Sequence, residues 1–292
     1  QVRLYYRNRN LVMTFPSIQP GDLLWMEYRI SDVGQGNEFG QYFGDFVPFG
    51  DSLPQLSKQY TLLLPAGFPL FLHQERLNVS PVVVTGREEK VYRWNARDLP
   101  PLEREPGSPG FTETASYLHV STFEDRDAMG VWYARFTQDQ WEPDAEMRAK
   151  AAELVAGLDS DAAKVRAIHR WVVQQTRYVG LEFGVHGYLP YKVRQVYARR
   201  FGDCKDKALL MAVLLRQAGF DAAMVLVRTR DNGEIAEKPA SLAVFNHAIC
   251  YVPELDLFLD GTAEYSAMDE LPDMDQGVRV QIVWPDGRTR SL

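Results

Sequence analysis

Cysteine is scarce in this chain. Cys204 and Cys250 are the only two among 292 residues, so a disulfide framework is excluded and one bridge is the most that could form. Two thiols cannot build a zinc–thiolate cluster without help from His or Asp, and only five histidines are present. No apolar run approaches the roughly 18 residues that a membrane-spanning helix needs, so no span is expected. Basic residues are outnumbered, 32 Lys and Arg against 39 Asp and Glu, for a net charge of −7. The densest basic stretches, at residues 197–200 and at Lys205 with Lys207, are short and broken by acids. Without a basic stripe, nucleic acid is not an expected partner. The first ten residues are polar and strand-like, unlike a signal peptide, and the chain opens on Gln1 rather than Met. We therefore expect a processed protein or an excised piece. An export signal removed upstream leaves a periplasmic or cell-envelope home open.

What is present is globular. Apolar residues make up 46% of the chain and charged residues 24%, enough for full-sized cores, and the length suits two domains. Residues 23–30, 59–64, 78–85, 90–96 and 117–123 read as short strands rich in branched and aromatic residues and bounded by turn formers. They predict a mainly β, sandwich-like domain over residues 1–140. Residues 99–110 hold four Pro and two Gly and read as a loop.

After residue 141 the period changes. Met147, Ala151, Leu154, Val155 and Leu158 recur at helical spacing, and a second helix is predicted over residues 161–175. A third helix should start at Asp203 or Cys204 and end before Gly219. Residues 208–215 are apolar almost all round, as expected of a helix covered on several sides. Residues 222–228, 245–252, 255–260 and 278–284 then read as strands. Residues 141–292 therefore predict an α+β domain, helices first and an antiparallel sheet after.

The candidate chemistry starts at Cys204, in Gly202-Asp203-Cys204-Lys205-Asp206-Lys207. Free N–H groups at a helix start favour a nearby thiolate and can face a developing oxyanion. A nucleophilic thiol needs a base. His247 opens one predicted strand and Asp260 closes the next. A reversal at Pro253-Glu254 would set them side by side, with one imidazole nitrogen on Asp260 and the other facing Cys204. Taken singly, each residue has a structural reading. Cys204 could be a buried thiol, Asp203 a helix cap and Asp260 the start of an Asx-turn.

Three segments resemble the transglutaminase-like superfamily of papain-like folds. Residues 202–220 resemble its nucleophile helix, Phe245-Asn246-His247-Ala248 its histidine strand, and Leu259-Asp260-Gly261-Thr262 its aspartate motif. The resemblance covers about residues 141–284 and implies a nucleophile at Cys204, a base at His247 and an orienting acid at Asp260. Tyr178-Val179-Gly180-Leu181-Glu182-Phe183-Gly184 with Tyr188-Leu189-Pro190 resembles the segment before the nucleophile in a bacterial subgroup. That subgroup carries an N-terminal β-rich DUF3857 domain, which residues 48–65 and 94–105 resemble. Gly261 stands where the subgroup often has Pro, which predicts a looser turn.

Secondary candidates are Tyr178 and Gln174, as oxyanion donors, and Asn246 and His186, as substrate contacts. Each also has a packing or hydrogen-bonding reading. His73, His119 and His169 lack a partner pattern and are assigned to structure. Asp203 and Asp206 are expected to cap the helix and anchor a loop, and Cys250 to be a buried free thiol.

The reaction implied is attack of Cys204 on an amide carbonyl, with the thioester resolved by water in a peptidase or amidase, or by an amine in a transglutaminase. Hydrolysis of a peptide or protein substrate is the preferred expectation. No cofactor and no metal are called for. The rival readings are a non-catalytic scaffold with a vestigial triad and a metal site built from Cys204, His247 and Asp260, with Asp203. The N-terminal domain is a candidate surface for a protein partner.

Overall fold

The computed structural model describes residues 17–29, 39–105, 107–182 and 184–292. Residues 1–38 and 39–292 form two compact units. In the first, residues 17–29 contain no strand and are exposed, Leu23 at 89% and Trp25 at 81%. The strand expected at residues 23–30 is thus not formed over residues 23–29. Alternation supplies a strand with one apolar face but does not supply its partner. Ile30 and the strand-like opening at residues 1–10 lie outside the described residues.

The second unit begins with six strands: β1 (Gly44–Pro48), β2 (Gln55–Pro65), β3 (Phe71–Glu75), β4 (Val82–Thr85), β5 (Glu89–Leu99) and β6 (Tyr117–Ser121), with one short helix, α1 (Phe111–Thr114), before the last. They pair antiparallel as two three-stranded sheets, β1-β6-β3 and β2-β5-β4. Val47, Leu118 and Val120 of one sheet meet Leu62, Leu64, Trp94 and Ala96 of the other in a shared core. The mainly β sandwich is therefore present. Trp94 is fully buried, and its indole N–H is satisfied by Gln74 Oε1 at 2.9 Å. Strands β1 and β3 carry no clear alternation and were not anticipated, and β4 covers only the end of the predicted 78–85 segment.

Helix α2 (Arg126–Thr137) falls within residues 1–140, where strands were expected. Asp125 caps it by accepting from Ala128 N. Its Met129, Tyr133 and Ala134 pack with Leu226 and Val283, which lie on strands near the end of the chain, so its periodicity is explained by tertiary contacts rather than by the polar sequence around it. Next come α3 (Ala145–Val155), α4 (Asp161–Gln175), β7 (Arg177–Tyr178), α5 (Val193–Arg199), β8 (Phe201–Gly202) and α6 (Cys204–Gln217). Asp144 and Ser160 cap α3 and α4. Five strands close the chain: β9 (Ala223–Val227), β10 (His247–Val252), β11 (Leu257–Leu259), β12 (Val280–Val283) and β13 (Thr289–Ser291), in the antiparallel order β11-β10-β9-β12-β13.

Helix α6 is the centre of this half. Residues 204–215 are all buried. Its Leu and Met side chains meet Met147 and Ala151 of α3, Val165, Ile168 and Val172 of α4, Val193 and Val196 of α5, and Met224, Cys250 and Val252 of the sheet. Helices on several sides and a sheet on another explain why no polar stripe is needed. The opposite sheet face, with Val225, Ile249, Tyr251 and Ile282, packs against Leu271 and Val278. Among the described residues no helix is long and apolar enough to cross a membrane.

Candidate active site

Cys204 occupies the first turn of α6, and the local sequence fixes that start. Asp203 Oδ1 accepts from Asp206 N, and Asp206 Oδ2 accepts from Asp203 N, both at 3.3 Å, so the two acids cap the helix reciprocally. Asp206 also holds Tyr191 N at 2.8 Å and Arg199 at 2.7 Å, anchoring the preceding loop as anticipated. Its carboxyl is pushed up to about 6, first by burial and then by the charge of Asp203. Asp203 forms a buried ion pair with Lys205 at 2.6 Å, which offsets a negative charge that would oppose a thiolate next door. Gly202 is required here, because a Cβ would lie 2.5 Å from Asp206 Cβ.

His247 opens β10 and pairs with Val227 of β9. A short 3₁₀ turn, Pro253–Leu255, reverses the chain into β11, in the register Cys250↔Leu259 and Val252↔Leu257. Asp260 therefore emerges just past the last pair, on the side of His247. The imidazole Nε2 lies 3.4 Å from Asp260 Oδ2. Thr262 donates its backbone N–H and its hydroxyl to Asp260 Oδ1, at 2.7 and 2.8 Å, which is the Asx-type turn considered from sequence. Gly261 packs against α6, where a Cβ would come within 3.1 Å of Met211 and 3.3 Å of Lys207. His169, assigned to structure, sits with its Nε2 3.3 Å from the Asp260 carbonyl.

Cys204 and His247 line one cavity of about 400 Å³, together with Tyr133, Glu182, Tyr188, Lys205, Leu226, Leu242 and Phe245. Burial disfavours charge on the His247 ring, yet hydrogen bonds and charge from Asp260 and Cys204 prevail and raise it to about 10. Nε2 is the ring nitrogen turned to Asp260. Asp260 is held below the usual carboxylate range, because the hydrogen bond from His247 and those of Thr262 outweigh its burial.

The secondary candidates divide. Tyr178 lies on β7, which pairs with β8 immediately before Cys204. Its phenol is pushed up first by burial and then by the charge of Cys204. Asn246 lines the cavity, but its amide is committed to Thr229, with Oδ1 accepting from N at 2.9 Å and Nδ2 donating to Oγ1 at 2.8 Å. His186 hydrogen-bonds Leu189 O and stacks on Tyr191 at 3.7 Å, outside the cavity lining. Gln174 lies at the exposed end of α4 and lines a separate cavity with Arg177 and Glu264. Cys250 is buried, and burial pushes its thiol up.

Two residues of the site escaped the sequence reading. Tyr133 of α2 is buried beside Cys204 and donates to Tyr188 O at 2.8 Å. Asp275, in the short 3₁₀ helix Asp273–Asp275, places Oδ2 3.8 Å from His247 Nε2. Neither had a local signal. Asp275 reads as one more acid in a loop that also holds Asp269, Glu270 and Asp273.

Residues 1–103 match DUF3857, a domain family of unknown function with a solved structure, and residues 148–265 match the transglutaminase-like superfamily. The chain carries a transglutaminase-like domain. That domain contains α4, α6, β9, β10 and β11, hence Cys204, His247 and Asp260. No curated protein matches the sequence. Among solved structures, a proposed protease from Parabacteroides distasonis superposes with a TM-score of 0.69 at 17% identity, over 85% of this chain and 47% of that one. This chain thus spans less than half of that protein's length, and the likeness concerns the fold. A proposed cysteine protease from Cytophaga hutchinsonii aligns over 86% of this chain and 90% of that one, at 12% identity and a TM-score of 0.33, too low to inform the fold.

Proposed function

We propose that this chain is a thiol hydrolase of amide bonds in a peptide or protein, with Cys204 as nucleophile, His247 as base and Asp260 as the acid that orients the ring. The observation that carries this reading is the position of His247, with Nε2 toward Asp260 and the same residue lining one cavity with Cys204 at the start of a buried helix. In the reaction, the Cys204 sulfur attacks the carbonyl, His247 gives its proton to the leaving amine, and water hydrolyses the thioester. The Cys204 N–H, at the first helical position, has no acceptor within α6 and is suited to the developing oxyanion. The cavity wall of Tyr188, Leu226, Leu242 and Phe245 suits an apolar acyl side chain. Resolution by an amine in place of water gives a transglutaminase from the same three residues.

The test is trapping. Wild type and Cys204→Ala are incubated with peptides, including cell-envelope peptides, and intact mass is measured. The expected result is an acyl adduct on Cys204 in wild type only. Alkylation by iodoacetamide should likewise modify Cys204 and spare buried Cys250. A Cys204 as inert as Cys250 would favour the scaffold reading.

A further inference from the structure

Asp275 is not accounted for by that chemistry. Its side chain is 0% exposed, and neither carboxylate oxygen has a hydrogen-bond partner. A buried unpaired carboxylate is costly unless a proton or a cation accompanies it. Its Oδ2 points at the imidazole nitrogen that also faces Asp260. One ring nitrogen therefore meets two buried acids, and the three ligand atoms lie within 4.8 Å of one another.

We propose that His247, Asp260 and Asp275 form a binding site for a divalent transition-metal cation such as zinc, and that its occupation silences the thiol. Zinc holds nitrogen and oxygen ligands at about 2.0–2.2 Å, which sets neighbouring ligands about 3.4 Å apart around a tetrahedron. The imidazole nitrogen is 3.4 Å from Asp260 and 3.8 Å from Asp275. With all three atoms within 4.8 Å of one another, an inward movement of the carboxylates brings them onto one ion. Two carboxylates and a neutral imidazole balance a dication, so binding removes the unpaired charge at Asp275. An imidazole with so few oxygen ligands favours zinc over calcium or magnesium. Cys204 is not among the ligand atoms gathered there, unlike in the metal site weighed from sequence. The metal would displace the proton on Nε2 and turn His247 away from its role as a base. This second, regulatory half rests on the thiol reading, whereas the binding half does not.

The probe is zinc chloride, titrated into wild type, Cys204→Ala, Asp275→Asn and Asp275→Ala after chelator treatment. Calorimetry gives stoichiometry and affinity, and X-ray absorption gives the ligand atoms. The expected result is one zinc per chain with imidazole and oxygen ligands and no sulfur. Cys204→Ala should bind as wild type does. Whichever Asp275 variant keeps the wild-type circular dichroism and melting should bind at least about tenfold more weakly. A sulfur ligand, absence of saturable binding, or unchanged affinity in the folded Asp275 variant would overturn the site. The ligand sphere of wild type decides the matter even if neither variant folds. For regulation, zinc should slow iodoacetamide modification of Cys204 in wild type and not in the Asp275 variant. Zinc bound without that slowing ends the regulatory half. A Cys204 that fails to react in metal-free protein ends the thiol reading and leaves the metal site to the binding data.

Discussion

At His247, burial alone would favour the neutral ring. The hydrogen bonds and negative charge of Asp260 and Cys204 reverse that preference and raise the ring from an ordinary 6.5 to about 10. A raised folded value means that the proton stabilises the fold, fully so below about pH 6.5, where the unfolded chain is protonated too. The contribution fades as pH climbs to about 10. The melting gap between wild type and His247→Gln, measured with a chelator present, should therefore be widest near neutral pH and below, and should narrow toward pH 10. A gap that stays constant or grows would contradict the charged ring. Asp260 and Asp275 both lie close to the same ring nitrogen, so the imidazole and these acids titrate as a cluster rather than as one residue.

At the scale of elements, the start of α6 carries both structure and chemistry. Asp203 caps the helix and pairs with Lys205, which is 5% exposed. Asp203→Ala removes both, leaving a buried ammonium without its partner, and should cost about 3–5 kcal/mol in denaturant unfolding. Asp203→Asn keeps a good cap and should cost measurably less. Equal losses would mean that the cap contributes nothing and the lost ion pair accounts for the whole effect. This element was legible because its signals are local: a capping pair, an apolar stretch and a terminal Gly219. The same holds for α4, whose predicted residues 161–175 coincide with the helix observed. The neighbourhood of His247 and Asp260 was legible because one short reversal, Pro253–Leu255, fixes it. Elements whose order depends on distant partners were not legible. Helix α2 owes its buried face to Leu226 and Val283, and Asp275 reaches the imidazole from a loop with no motif. Conversely, residues 23–29 have the alternation of a strand and do not form one.

Across the molecule, the sandwich and the transglutaminase-like half are joined by a polar seam. Tyr42 Oη accepts from Leu242 N at 2.7 Å, Ser121 donates to Ala240 O at 2.5 Å, and His119 Nε2 lies 2.8 Å from Ser241 Oγ. Leu242 is also part of the cavity wall, as is Tyr133 of α2. The first half thus shapes the cleft that the second half equips. A division at residue 140 was the expectation from sequence, and its autonomy can be tested by expressing residues 141–292 alone. That fragment loses α2 and would leave Leu226 and Val283 uncovered, and it loses the Tyr42 partner of the 240–242 segment. Exposed apolar surface of this kind weakens cooperativity and attracts hydrophobic dyes. The fragment should melt broadly and bind such a dye, and its Cys204 should be modified more slowly than in residues 1–292 because the cleft wall is unsupported. A sharp melt at the full-length midpoint with unchanged thiol reactivity would show that the second half folds and builds its cleft by itself, leaving the sandwich free for partner binding.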